Sequence, residues 1–257
     1  MSAKLIKDIR PFKPPSTFWY DPAVLQNAAL RWLLCLRAHG FKLQGFDHVD
    51  FLILETPSAP SPLIVQLAGG LESPSFRLFH CQVLEIPSQS SQLLRLVNKC
   101  IYECLRLASD QNPRSIQLLE NAFNEIDLAG ENFQIEMKNT TGNEFSVRLM
   151  IRPSGPYATG GELLIEAKEN TSGNVRTRKL LDYCSYWDIK SLLGTVVIQE
   201  KVLSITASED WIEKFPGASS EIVLALGSLF NGEETANVFL SDVADIRKCL
   251  TDYDLPW

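Results

Sequence analysis

Between Asp21-Pro22 and Gly40, apolar residues at 24, 25, 28, 29, 32, 33 and 36 recur with the 3.6-residue period of a helix. An aspartate cap, a proline at the first helical position and a glycine stop bound that segment, which predicts one helix of about four to five turns. Strand patterns follow at about 49–55, 63–68 and 76–86, broken by Pro57-Ser-Ala-Pro60-Ser-Pro62 and by Gly69-Gly70 through Pro74. Breaks this short predict an antiparallel meander rather than crossover units. A second helix is expected over about 90–108, on the stripe Leu93, Leu96, Val97, Cys100, Ile101, Cys104 and Leu105. Asn112-Pro113 then caps a helix over 114–127, with Ile116, Leu119, Phe123 and Ile126 on one face. Strands at 131–138, 144–152 and 161–168, a helix over about 175–193 and a hairpin at 195–206 come next.

Helix, three strands and helix thus occur twice. The expected class is α+β, with antiparallel sheets flanked by helices in two similar α-βββ-α subdomains at 21–110 and 111–206. Residues 1–20 precede them as an extended arm, because Pro11, Pro14 and Pro15 forbid a helix and Phe12, Phe18, Trp19 and Tyr20 need a surface to cover them. Residues 207–257 follow as an acidic region with short helices, one strand at 236–240 and a last helix from Ser241-Asp242 to Arg247-Lys248.

At 257 residues with 45% apolar composition the chain can build full cores without disulfide or metal support. Its net charge of −7 argues against a broad nucleic-acid or anionic-membrane footprint. That charge is localised: residues 205–257 hold three basic against ten acidic side chains, while residues 1–47 hold seven basic against three acidic. The acidic stretch is complementary to a basic partner surface, and nucleic acid is an improbable ligand for it. The first ten residues hold no apolar run of signal-peptide length and no segment reaches the ~20 apolar residues of a bilayer span, so a soluble, cytoplasmic protein is expected. Cys35, Cys81, Cys100, Cys104, Cys184 and Cys249 lie scattered in apolar stretches, the pattern of reduced buried thiols rather than of a disulfide framework. No cofactor motif is present: Gly69-Gly70 lacks the lysine and helix start of a phosphate loop, and no GxGxxG follows a strand.

Two segments carry chemistry worth weighing. In Glu162-Leu-Leu-Ile-Glu166-Ala-Lys168, alternation places Glu166 and Lys168 on one face of a strand. Ile-Glu-Ala-Lys resembles the third-strand signature of the PD-(D/E)xK nucleases, and the resemblance implies either a metal-dependent nuclease, with Glu166 as a metal ligand and Lys168 as its catalytic neighbour, or an inactive relative of that fold. Residues 144–161 lack the upstream aspartate of that family, for which Glu136 or Glu144 would have to stand in. Ile135-Glu136-Met137-Lys138 repeats the tetrad, and alternation predicts Phe133, Ile135 and Met137 inward with Gln134, Glu136 and Lys138 outward.

The chain ends in Asp252, Tyr253, Asp254, Leu255, Pro256 and Trp257. A proline-stiffened acidic peptide with a terminal aromatic suits an apolar pocket rimmed by Arg or Lys. It resembles the acidic tip of bacterial single-stranded DNA-binding proteins, which implies recruitment of partner enzymes in DNA metabolism. Element order and acidity also resemble the layout of type III secretion chaperones. The expected role is therefore a non-catalytic protein–protein interaction or assembly function: an adaptor, chaperone-like protein or complex subunit. Partner contacts are expected through Asp252–Trp257 and through Phe18, Trp19 and Tyr20, with self-association as a further option.

Overall fold

The computed structural model describes residues 3–12, 22–69, 75–109, 112–153, 160–230 and 246, in two compact units divided after Phe133. The expected α+β class, with sheets flanked by helices, is what the chain forms. The predicted strand at 236–240 and the ends of the predicted last helix lie outside the described residues, and Ile246 is helical and buried.

In the first unit β1 (Ala3–Leu5) pairs antiparallel with β3 (Lys42–Gln44). The main sheet contains β2 (Asp8–Pro11), β4 (His48–Glu55), β5 (Leu63–Leu67) and β6 (Phe76–Val83), in the order β2-β4-β6-β5. β2 and β6 both run parallel to β4, and only β5 is antiparallel to its neighbour. The meander expected over 49–86 is thus replaced by a mixed sheet, in which the chain passes from β4 to the edge position of β5 and returns to insert β6 between them. The physical sign was the unbroken apolar run Phe51-Leu-Ile-Leu54, since a central strand covered on both faces need not alternate.

Three helices accompany this sheet: α1 (Pro22–Ala38), α2 (Ser90–Ala108) and α3 (Pro113–Ala129). α1 is followed by Gly40, whose φ of +67° is a left-handed conformation that glycine adopts without a Cβ penalty. α3 starts as predicted, with the Asn112 side chain accepting from the N–H groups of Arg114 and Ser115 at 3.0 and 3.4 Å and Pro113 in the first turn. α3 packs on α1 and α2, so it belongs to the first unit and not to a second subdomain starting at 111. At their meeting, fully buried Trp32 lies 6.5 Å from Tyr102 and 6.2 Å from Phe123, ring centre to ring centre, and its indole N–H donates to Asn98 Oδ1 at 3.2 Å.

The second unit is antiparallel throughout. β7 (Ile135–Thr141), β8 (Phe145–Pro153), β9 (Gly161–Glu169) and β10 (Val175–Tyr183) form a meander. After α4 (Tyr186–Leu192), a three-stranded sheet follows from β11 (Thr195–Gln199), β12 (Val202–Thr206) and β13 (Glu221–Ala225), with α5 (Glu209–Lys214) between the last two. The helix expected over 175–193 is therefore mostly a strand. A register shift between Lys179 and Leu181 lets the adjacent Leu180 and Leu181 both be buried, and that doublet imitated a helical stripe. The two units are not repeats of one α-βββ-α motif: among the described residues, the first has a mixed four-stranded sheet accompanied by the long helices α1, α2 and α3, whereas the second has antiparallel sheets accompanied by the short helices α4 and α5.

Candidate functional site

Glu166 and Lys168 share a face of β9, as alternation requires. Glu166 Oε1 accepts from Arg148 Nε at 2.8 Å and lies 2.5 Å from Nη2, while Arg148 Nη1 lies 4.0 Å from Glu136 Oε2. A guanidinium thus stands between the two carboxylates that would have to share a divalent cation. Lys168 is exposed beside Ser146 and Val175 and makes no ion pair among the described residues. The outward row predicted for β7 is broken by a bulge: Glu136 pairs with Met150 but Lys138 with Leu149, and neighbouring residues of β8 face opposite ways. Lys138 therefore leaves the face of Glu136, and its Nζ donates to the Gly194 carbonyl at 3.0 Å.

The acidic residues around the β4 entrance, Asp47 and Asp50, are each paired with a basic side chain. Asp47 lies 2.9 Å from Lys7 Nζ and 2.6 Å from His48 Nδ1, and Asp50 accepts from Arg10 Nε at 2.9 Å. The hydrogen bond from Lys7 and that from His48 hold the Asp47 carboxyl below its ordinary range, against the opposing effect of burial. A depressed native value contributes stability that is present above the unfolded pKa of about 3.9 and lost as pH falls through the native value. Burial raises Asp8 and gives the opposite slope, so the comparison must isolate Asp47. Asp47→Asn should lower stability at pH 6 and make acid unfolding below about pH 4 less steep than in the parent, read from urea midpoints against pH.

Cys81, Cys100 and Cys104 are fully buried thiols where β6 meets α2, with Cys81 Sγ 3.5 Å from Cys104 Sγ. Burial pushes the Cys104 thiol well up, so it stays protonated. Like Cys35 and Cys184, these are free cysteines of the core, as the sequence indicated.

The two edges of the main sheet differ in chemistry. β2 carries Asp8, Arg10 and Pro11, residues that discourage a further strand. β5 reads Leu-Ile-Val-Gln-Leu, with no charge and no proline. Alternation puts Leu63, Val65 and Leu67 on one face, and Leu63 and Val65 line a groove of about 290 Å³ with Lys99, Glu103, Arg106 and Leu107 of α2. Arg106 Nε is paired to Glu103 at 2.7 Å, whereas Lys99 on the same wall has no ion-pair partner among the described residues. Leu67 and Leu107 are 46% and 37% exposed, one on β5 and the other on the wall of this groove. By contrast the β10 edge of the second unit is guarded by Arg176, Arg178 and Lys179.

The strand pattern at 63–68 was readable, but nothing in it announced an edge position. The predicted contact residues Phe18, Trp19, Tyr20 and Asp252–Trp257 lie outside the described residues. No described helix is long and apolar enough to cross a membrane. Comparison with known protein families, with curated proteins and with solved structures finds no match to this chain.

Proposed function

We propose that this chain is a protein–protein interaction or assembly subunit that accepts an extended segment of a partner protein as an added strand on β5. The supporting observation is the uncharged edge of β5, flanked by exposed Leu67 and Leu107. Main-chain hydrogen bonds along a strand edge supply affinity for such a segment, and pockets for alternate side chains supply selectivity. Here every second residue of the partner strand would face the groove between Leu63, Val65 and α2, where apolar side chains fit and a carboxylate reaches Lys99. The acidic C-terminal stretch, including Asp252 and Asp254, adds a second contact with a basic surface of the same partner.

The test uses the full chain in its native cell, with a photo-reactive amino acid at Ile64 and identification of the cross-linked peptide by mass spectrometry. An extended, alternating segment of one partner should be captured at this edge. Leu67→Lys should weaken the isolated complex at least tenfold, because a lysine on an edge strand opposes strand addition. Leu128→Lys, at a position 88% exposed on α3, should leave binding unchanged. Both substitutions should keep the unfolding free energy within about 0.5 kcal/mol of the parent. Equal binding by Leu67→Lys and the parent refutes the proposal, and so does a cross-link joining two copies of this chain instead of a partner.

A further inference from the structure

At the C-terminal end of α1, Cys35 and His39 stand one turn apart, with the His39 N–H still bonded to the Cys35 carbonyl at 3.1 Å. Residues four apart on a helix share a face. α3 brings Glu125 to that face: its Oε2 lies 3.6 Å from Cys35 Sγ and 3.3 Å from His39 Nε2, and the three ligand atoms all lie within 4.8 Å of one another. We infer that Cys35, His39 and Glu125 form a binding site for a divalent transition-metal ion of the zinc class.

The distances carry this assignment. Zinc binds sulfur at about 2.3 Å and nitrogen or oxygen at about 2.0–2.1 Å, so tetrahedral angles separate S from O by about 3.5 Å and N from O by about 3.3 Å. Those separations are already present without movement of either helix. The donor set is also of the zinc kind, one thiolate, one imidazole and one carboxylate, and it does not suit magnesium or calcium, which take oxygen ligands. Cys35 is buried, whereas His39 and Glu125 are 41% and 49% exposed, so the fourth coordination position faces water. The negative end of the α1 dipole adds a potential that favours a cation. On binding, the S–H bond of Cys35 breaks, its proton goes to solvent and the sulfur electron pair forms the metal bond, so no oxidant or reductant is involved. The ion would tie α1 to α3 by ligands 86 and 90 residues apart in the chain.

The experiment is Co²⁺ titration of the full chain by absorption, followed by displacement with Zn²⁺. One equivalent of Co²⁺ should give the visible bands of a four-coordinate site together with a near-ultraviolet sulfur-to-cobalt band. Removing a ligand should cost at least as much as removing an outer-shell partner, about 10–100-fold in affinity, in both His39→Ala and Glu125→Gln. These two positions are exposed, so both variants should fold like the parent, which circular dichroism checks. Cys35→Ser should abolish the sulfur band, and Zn²⁺ should raise the melting temperature of the parent but not of Glu125→Gln. A parent without a sulfur band, a sulfur band that survives in folded Cys35→Ser, or unchanged affinity in His39→Ala and Glu125→Gln would each overturn the assignment.

Discussion

Trp32→Ala is expected to destabilise the first unit by about 3–5 kcal/mol, the range for truncating a fully buried aromatic. The indole is 0% exposed and sits where α1, α2 and α3 meet, against Tyr102 and Phe123, which are themselves 5.2 Å apart. Truncation loses the transfer free energy of the ring and leaves a cavity that three helices cannot all close at once. It also removes the donor to Asn98, whose side chain is 3% exposed and has no water to turn to. Urea denaturation followed by far-ultraviolet circular dichroism measures the loss. Leu128→Ala, truncating a side chain 88% exposed on α3, should fall within about 0.5 kcal/mol of the parent. A Trp32→Ala protein no less stable than Leu128→Ala would mean that the three helices do not converge on this residue.

The second large effect is expected at Gly161. It faces Pro153 across the β8–β9 ladder, and a Cβ built there would lie 2.1 Å from the Arg152 carbonyl oxygen and 2.9 Å from its carbon. Both obstacles are backbone, so no rotamer change relieves the clash. The strands must separate, which breaks hydrogen bonds next to the Arg152–Glu162 ion pair at 3.1 Å. Gly161→Ala should therefore cost about 3 kcal/mol, the upper end of ordinary overpacking, with faster amide exchange at the start of β9. Gly69 has no atom within 4 Å of the same added carbon and no positive φ, so Gly69→Ala should be neutral within about 0.5 kcal/mol. If both alanines behave alike in thermal and urea unfolding, the close approach of β8 and β9 at this point is wrong.

These two sites mark where local sequence was informative and where it was not. α2 spans Ser90–Ala108, the limits that its apolar stripe predicted, because one face of a helix is a local property. The cap of α3 was equally legible from Asn112-Pro113. Pairing is not local. The parallel β4–β6 register depends on a strand arriving from about twenty residues away, and the Leu180-Leu181 doublet hid β10 because a bulge suspends alternation. β13 was missed for a similar reason: Glu221-Ile-Val-Leu-Ala225 is short, and α5 separates it from its partner β12.

The same distinction governs the candidate sites. Glu166 and Lys168 were located on one strand face from their spacing, but the arginine between Glu136 and Glu166 comes from β8. Cys35 and His39 had a readable i, i+4 relation, whereas Glu125 reaches them only through the packing of α3 on α1. For β5, composition announced a strand, and its edge position followed only once β6 had inserted between it and β4. The acidity of residues 205–257 was legible as composition.

Strand addition on β5 predicts a specific hydrogen-exchange pattern. An edge strand presents outward N–H groups to water, and an added strand removes some of them from exchange. Amide exchange of the full chain, alone and in the isolated complex, should show slowing over Leu63–Leu67, with little change along β2 at the opposite edge. The Leu67→Lys protein mixed with the same partner should show none. Unchanged exchange across β5 in a saturated complex, or protection confined to other strands, would contradict the account.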